Sequence, residues 1–153
     1  MGVDVEVECT IARPLSVVAD FAGDPGRAPE WYANIRSVEW ETPPPLTLGS
    51  RMSFVAHFLG RRLAYTYEVV ELEPGRRLVM RTADGPFPME TTYSWDVTGE
   101  GRTRMTLRNR GVPSGFARVA APALERAMRR ATTKDLARLK ALLESAAGAG
   151  NGR

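Results

Sequence analysis

Hydrophobic and polar residues alternate along most of this chain, and the period of the alternation separates its elements. Residues 3–11 read VDVEVECTI, with an apolar residue at every second position. Successive side chains of a strand point to opposite faces, so the segment is predicted to be a strand with one buried face. The buried face would carry Val3, Val5, Val7, Cys9 and Ile11.

Two short helices are predicted to follow this strand. Pro14 suits a first helical turn, and apolar residues recur at helical spacing as far as Phe21. The segment from Gly23 to Gly26 ends that helix. A second short helix is predicted from about Arg27 to Tyr32.

The pattern between residues 35 and 110 is extended, and five turn signals divide it into six further strands. Gly60-Arg61 is predicted to form a type II′ hairpin loop, and Pro74-Gly75 a type II turn. Neighbouring strands should therefore be antiparallel. Between Ile35 and Glu41 the alternation is mixed, which predicts an edge or bulged strand. Trp40 in this strand is expected to pack the fold.

Apolar residues from Phe116 to Leu143 recur about every 3.6 positions, which predicts a long amphipathic helix. Pro122 should either kink this helix or mark its regular start. Residues 148–153 lack apolar content and are predicted to be a disordered tail, which leaves 1–147 as a single domain.

This order of elements predicts an α+β fold. A long helix must lay its apolar stripe on one face of the sheet, which a curved seven-stranded antiparallel sheet wrapped around the helix satisfies. Such a sheet has more concave area than one helix can cover. We therefore expect a cavity between sheet and helix, of the kind that binds small, mostly apolar ligands.

Composition narrows the function classes. A chain of 153 residues is about one domain long, and with one cysteine and one histidine it offers neither a disulfide framework nor a multi-histidine metal site. No phosphate-binding glycine loop or nucleophile elbow occurs, so no metal or other cofactor is expected. The N-terminus lacks a targeting signal, and no window reaches 18 apolar residues, so a cytoplasmic protein without stable membrane insertion is predicted.

The charge balance gives little support for nucleic-acid binding. The formal net charge of +3 arises from 21 basic and 18 acidic residues. Basic residues of the last helix are interpreted as a polar face shared with Glu125, Asp135 and Glu144. We therefore predict no nucleic-acid partner.

Two residues that could carry chemistry are assigned structural positions by their parity. His57 alternates with Met52, Phe54, Ala56 and Phe58 and is therefore expected on the outer face. Cys9 lies on the inward face of the first strand with no histidine nearby in sequence, so it is interpreted as a buried thiol. No acid/base pair stands out in the sequence, which argues against an enzyme.

Aromatic and methionine side chains on the sheet are the stronger candidates for a ligand site. Met89, Thr91, Tyr93 and Trp95 share one parity and should face the helix. Tyr65, Tyr67, Tyr93 and Arg108 are candidates to hydrogen-bond a reacting carbonyl or enolate; plain core packing is the alternative for each. The predicted ligand contacts are Trp31, Phe54, Phe58, Tyr67, Met80, Met89, Tyr93, Trp95, Met105, Phe116, Leu124 and Met128.

The chain resembles the SRPBCC, or START-like (Bet v 1-like), superfamily and, within it, polyketide cyclase/dehydrase-type proteins. The resemblance covers roughly residues 3–144 and rests on the element order and on the segments 11–21, 48–50, 67–78 and 101–106, together with Trp31. It implies a helix-grip fold with a deep pocket for a hydrophobic or aromatic small molecule. Members include cyclases, lipid carriers and co-chaperone-like regulators.

Three functions therefore stay open at this point. The first is a hydrophobic-ligand-binding protein that acts as a polyketide cyclase-like enzyme. The second is a non-enzymatic carrier or sensor of a lipid or quinone, and the third is a co-chaperone-like interaction module. A monomer and a homodimer are both compatible with the sequence.

Overall fold

The computed structural model describes residues 2–113, 116 and 119–151, with side chains up to residue 146. The predicted α+β class and element order are confirmed. The strands are β1 (Val3–Ile11), β2 (Ile35–Trp40), β3 (Arg51–Phe58), β4 (Arg61–Glu73), β5 (Arg77–Asp84), β6 (Met89–Gly99) and β7 (Arg102–Gly111). The helices are α1 (Leu15–Ala22), α2 (Ala28–Trp31) and α3 (Ala121–Asn151), with a single 3₁₀ turn (Pro25–Arg27) before α2.

All seven strands form one antiparallel sheet in the order β1-β7-β6-β5-β4-β3-β2. β7, the last strand, therefore pairs with β1, the first. β1 and β2 form the two edges of the sheet. A bulge between Ile35 and Ser37 shifts the register of β2 against β3. The mixed alternation of this segment did indicate a bulged edge strand.

Two hairpin turns show how local residue choice sets backbone geometry. Gly75 has a φ of 76°, and Arg76 N–H donates to Glu73 O at 2.9 Å, as a type II turn requires. The loop between β3 and β4 differs from its prediction, because it consists of Leu59 and Gly60 with φ values of 49° and 77°. Positive φ at both positions makes it a type I′ turn, whose twist matches that of the flanking strands.

The long helix begins regularly at Ala121, with Pro122 in its first turn, where a missing N–H costs no hydrogen bond. Phe116 and Ala120 therefore precede the helix. At the other end the backbone stays helical to Asn151, whereas a disordered tail was predicted from Gly148. Extending an existing helix is far easier than starting one, which is consistent with this result. Ser114, Gly115, Ala117, Arg118, Gly152 and Arg153 lie outside the described residues.

The C-terminal half of α3 is fixed to the first strand and to the residues that follow it. Leu136, Leu139 and Leu143 are buried in the core. Arg13 Nη1 donates to Leu143 O at 2.6 Å, and Lys140 Nζ donates to Thr10 O at 2.9 Å.

Among the described residues, no helix combines the length and the apolar composition that a membrane-spanning segment needs.

The buried apolar residues form two clusters. The larger includes Trp31, Trp95 and Leu139, and the smaller includes Phe87, Phe116 and Leu124 near the start of α3. Side chains of both clusters border the same cavity. The cavity therefore lies where the two clusters meet between sheet and helix.

Candidate functional site

A cavity of about 170 Å³ lies between the concave face of the sheet and α3. It is somewhat larger than an engineered apolar cavity of about 150 Å³ that takes up benzene. This cavity therefore has room for a single substituted ring. Its walls come mainly from inward-facing residues of β3, β4 and β6 and from α3.

Most of the predicted contact residues, and the candidate Tyr65, do line this cavity. Inward parity brings together those on the strands, the apolar stripe of α3 contributes Leu124 and Met128, and Phe116 comes from the segment before that helix. These residues are Phe54, Phe58, Tyr65, Tyr67, Met80, Met89, Tyr93, Phe116, Leu124 and Met128.

Trp31, Trp95 and Met105 face the interior but are absent from the cavity wall. Trp31 has no exposed surface, and its ring packs 4.1 Å from that of Tyr32, which takes the cavity-facing place. Trp95 and Met105 are cross-strand partners in the larger cluster. The structure thus gives these three residues positions in the core, where they support the wall from behind.

Arg108 lies on the opposite face of the sheet from the cavity. Met105, Leu107 and Asn109 share the inward parity of β7, so Arg108 must point outward. Its Nη2 lies 2.6 Å from Asp4 Oδ2, and both side chains are exposed. Its predicted role toward a ligand carbonyl is therefore wrong, and Asn109 occupies the corresponding inward position.

Tyrosine hydroxyls are among the polar groups inside the mostly apolar cavity. Tyr32 and Tyr93 share a hydrogen bond of 2.7 Å between their hydroxyl oxygens, and Tyr67 shares one of 2.8 Å with Thr91 Oγ1. Thr91 in turn donates to Asn109 Oδ1 at 2.8 Å. These bonds hold the rings in fixed positions, so the cavity is shaped before a ligand arrives.

Burial keeps these tyrosines protonated. Desolvation raises the pKa of Tyr67 to about 12, although its hydrogen bond with Thr91 opposes the shift. Burial also raises the pKa values of Tyr32 and Tyr93 well above the ordinary range. The hydroxyls therefore act as hydrogen-bond donors or acceptors near neutral pH, and a role as anionic bases is excluded.

Tyr65 differs from the other three tyrosines because its hydroxyl makes no hydrogen bond within the described part of the chain. Its ring stacks on Phe54 with centroids 5.3 Å apart, and burial raises its pKa well above the ordinary range. Its hydroxyl is not among the fully enclosed atoms that lack a partner, which are Trp31 Nε1 and Trp95 Nε1. The Tyr65 hydroxyl is therefore available to a molecule in the cavity.

Asp135 on α3 supplies a carboxyl group to the same cavity. The residue is only 4% exposed, and its Oδ1 accepts a hydrogen bond from the backbone N–H of Ala33 at 3.0 Å. Burial raises the pKa of this carboxyl to about 6, against the opposing effects of that N–H and of the charge on Arg138. Such a group changes protonation state close to neutral pH, as a proton acceptor or donor must.

The sequence interpretation missed Asp135 by assigning it to the polar face of the helix. It lies seven residues after Met128 and four before Leu139, which places it on the apolar stripe. A charged residue on an apolar stripe can be recognised from the periodicity of the sequence alone. Tyr32, Asn109 and Thr132 also line the cavity and were not named as candidates.

His57 is exposed on the outer face of β3, as its parity predicted. Cys9 is half-buried against the core, with its Sγ 3.9 Å from Leu136 O, and desolvation raises the pKa of the thiol. Within the described residues, no group of three or more His, Cys, Asp or Glu side chains is placed to hold a metal ion. Neither His57 nor Cys9 contributes to the cavity wall.

Comparison with known proteins identifies relatives of this fold. The sequence profile of a family described as polyketide cyclase/dehydrase and lipid transport matches residues 2–144. No curated protein sequence matches the chain.

Several solved structures share the architecture at low sequence identity. An aromatase/cyclase from Streptomyces sp. R1128 is 18% identical, with a TM-score of 0.75, and the match covers 94% of each chain. A START superfamily protein from Mycobacterium smegmatis is 16% identical, with a TM-score of 0.77 and coverage of 93% of this chain and 97% of its own. A Thermus thermophilus protein is 21% identical, with a TM-score of 0.76 and coverage of 94% and 98%. These likenesses establish the helix-grip fold.

Proposed function

The chain belongs to the polyketide cyclase/dehydrase and lipid transport family, and we propose that it binds a small aromatic molecule with an oxygen substituent. The observation that carries this proposal is the buried carboxyl of Asp135, which lines a cavity whose other walls are mostly aromatic and aliphatic. Ligand sites typically combine such apolar walls with a few polar groups that fix orientation.

Aromatic walls favour a ring as the apolar part of the ligand. Phe54 stacks on Tyr65, and Tyr67 meets both rings at steep angles, with centroids 5.5 and 4.9 Å away. A ligand ring can extend such a set through edge-to-face contacts, which add about 0.5–1.5 kcal/mol to area burial. Met80 and Met89 supply adaptable side chains on the same wall.

Polar groups in the wall favour an oxygen atom on that ring. The Tyr65 hydroxyl is uncommitted, and Asp135 Oδ2 accepts no hydrogen bond from the described residues. A phenol could donate to the carboxylate, and a carbonyl could accept from the tyrosine. A purely apolar ligand would leave both groups without partners, which is unfavourable in a desolvated site.

A matched pair of single-ring compounds tests this proposal. By isothermal titration calorimetry we expect 4-propylphenol to bind about tenfold tighter than propylbenzene, the worth of one good buried hydrogen bond. Asp135→Asn should reduce that preference, while Asp20→Asn, an exposed change on α1, should leave it intact. The absence of binding by both compounds, or equal affinities for them, would refute the proposal.

Asp135 favours a second candidate function, in which the bound molecule also undergoes proton transfer. With a pKa of about 6, the carboxyl is mostly ionised above neutrality and can accept a proton from carbon next to a carbonyl group. The electron pair of the broken C–H bond then forms the enolate. A neutral tyrosine hydroxyl, such as that of Tyr65, can stabilise the enolate oxygen by hydrogen bonding.

Hydrogen exchange on a simple ketone tests this second candidate. Phenylacetone in D₂O exchanges its α-hydrogens through an enolate, and proton NMR follows their loss. We expect the protein to accelerate exchange, Asp135→Asn to abolish the acceleration and Asp20→Asn to retain it. Binding of 4-propylphenol without any acceleration would leave a ligand carrier, the non-enzymatic alternative. The unfilled cavity offers no support for the interaction module.

A further inference from the structure

A second depression, of about 530 Å³, lies beside the cavity and is bordered by α3 and by residues 33–34 and 58–59. Asn34, Phe58, Ala131 and Asp135 border both spaces, so the groove and the cavity meet at these four residues. On the helix side, small alanine side chains recur every four residues, at 123, 127 and 131, and leave room for the groove. The groove therefore adjoins the cavity along one wall.

Three cationic side chains line this groove. Arg126, Arg130 and Lys134 are spaced four residues apart, which puts them on one side of α3, and all three are exposed. None forms an ion pair or a side-chain hydrogen bond within the described part of the chain.

Other cations of the same helix are already engaged in contacts. Arg129 Nη1 donates to Glu6 O at 2.8 Å, Arg138 Nε donates to Glu30 O at 2.9 Å, and Lys140 Nζ pairs with Glu144. The contacts of Arg129 and Arg138 fasten the helix to β1 and α2, and the pair formed by Lys140 lies within the helix. The three groove cations make no such contact within the described residues. Their positive charge is therefore available to a ligand in the groove.

We propose that the ligand is amphipathic, with its ring in the cavity and a carboxylate or phosphate end in the groove. This inference rests on the proposed function and extends it to the ligand's outer end. Arginine forks suit such anions because they donate two parallel hydrogen bonds.

The positions along the helix fix where the anion lies. Asp135 carries a negative charge at the junction of cavity and groove when ionised, so an anion is repelled from that point. Arg126 lies about 7.5 Å along the helix axis from Ala131, at the usual rise per residue. A stem of three or four carbons therefore brings an anion from the junction into reach of Arg126 and Arg130.

Two single-ring probes with the same stem test the inference. At low salt we expect 4-phenylbutanoate to bind about five- to tenfold tighter than 4-phenylbutan-1-ol. Replacing all three groove cations by glutamine should bring the ratio to about one through weaker binding of the anion alone. The phosphate ester of the same alcohol should behave like the carboxylate, and added salt should weaken both anions and leave the alcohol unchanged.

A matched control separates the groove from overall charge. Arg76→Gln, Arg102→Gln and Arg104→Gln together remove the same number of positive charges, at exposed positions outside the cavity and groove. This control should keep the preference for the anion. An unchanged ratio in the groove variant, or an equal fall in both variants, would overturn the inference while binding of the alcohol still supports the cavity. Failure of both probes to bind a wild type that does bind 4-propylphenol would overturn the inference alone, and failure of 4-propylphenol as well would refute the proposed function.

Discussion

Asp135 Oδ1 accepts a hydrogen bond from the backbone N–H of Ala33 at 3.0 Å, which joins the middle of α3 to the segment after α2. The same carboxyl borders the cavity and the groove. One buried carboxyl group therefore both packs the helix against the segment after α2 and lines the ligand site. A change in its protonation state should affect both stability and binding.

This arrangement predicts a specific dependence of stability on pH. The carboxyl has a pKa near 3.9 in an unfolded chain and about 6 in the folded protein. Between these values the folded state binds more protons, so the free energy of unfolding falls as pH rises from about 4 to 6. Asp135→Asn removes this contribution and should stabilise the protein at pH 7.5 by an amount on the order of 1 kcal/mol.

Urea unfolding at pH 5 and pH 7.5 measures the effect. Asparagine keeps an oxygen that can accept from Ala33 N–H, so the fold should survive. Asp20→Asn serves as control because Asp20 is exposed on α1. A variant at position 135 that is less stable at pH 7.5 and keeps the wild-type pH dependence would contradict a raised pKa for this carboxyl.

The hydrogen bond between Tyr32 and Tyr93 predicts an energetic coupling between those residues. Tyr93→Phe leaves the Tyr32 hydroxyl without its 2.7 Å partner, and Tyr32→Phe does the reverse. Each change should therefore cost about 1 kcal/mol, and the double change little more than one of them. A double-mutant cycle from chemical denaturation gives the coupling. Strictly additive losses would show that the two hydroxyls do not depend on each other.

Filling the cavity should block ligand binding and spare the fold. Ala56 lies between Phe54 and Phe58 on the cavity face of β3, and isoleucine at this position suits a strand and adds three carbons to the wall. We expect Ala56→Ile to weaken 4-propylphenol binding at least tenfold. Its midpoint in urea should stay near that of Ala64→Ile, the same change at an exposed site on β4. Equal ligand affinity in both variants would place the ligand elsewhere.

Arg108 should have no part in ligand binding. Its ion pair with Asp4 is exposed on the outer face of the sheet, where such pairs contribute at most about 1 kcal/mol. Arg108→Gln should therefore leave the affinity for 4-propylphenol within about twofold of the wild type and lower stability only slightly. A large loss of affinity in a folded Arg108→Gln protein would mean that β7 presents its other face to the ligand.

Strict alternation made the strands predictable from sequence. The parity of β6 placed Thr91 and Tyr93 on the concave face, and that of β3 placed His57 outside, as the structure has them. The same rule applied to β7 would have excluded Arg108, since Met105 and Leu107 set the inward parity. The guanidinium group of Arg108 suggested a ligand contact, whereas its position in the strand indicated the outer face.

Residues that depend on tertiary packing were harder to identify. Trp31 and Tyr32 are neighbours at the end of a one-turn helix, and only the packing of that helix against the sheet decides that Tyr32 reaches the cavity. Asp135 was assigned to solvent because charged residues are mostly exposed. It is buried instead, because it lies on the apolar stripe of α3 and its carboxyl accepts a hydrogen bond from Ala33 N–H.

The most direct test of the account is an amide NMR titration of the ¹⁵N-labelled protein with 4-propylphenol. We expect saturable shifts for residues around the cavity, including Asn34, Thr91, Tyr93 and Asp135, and no shifts on the outer face around Arg108. Saturable shifts confined to the outer face, or no shifts at millimolar ligand, would contradict a binding site between the sheet and α3.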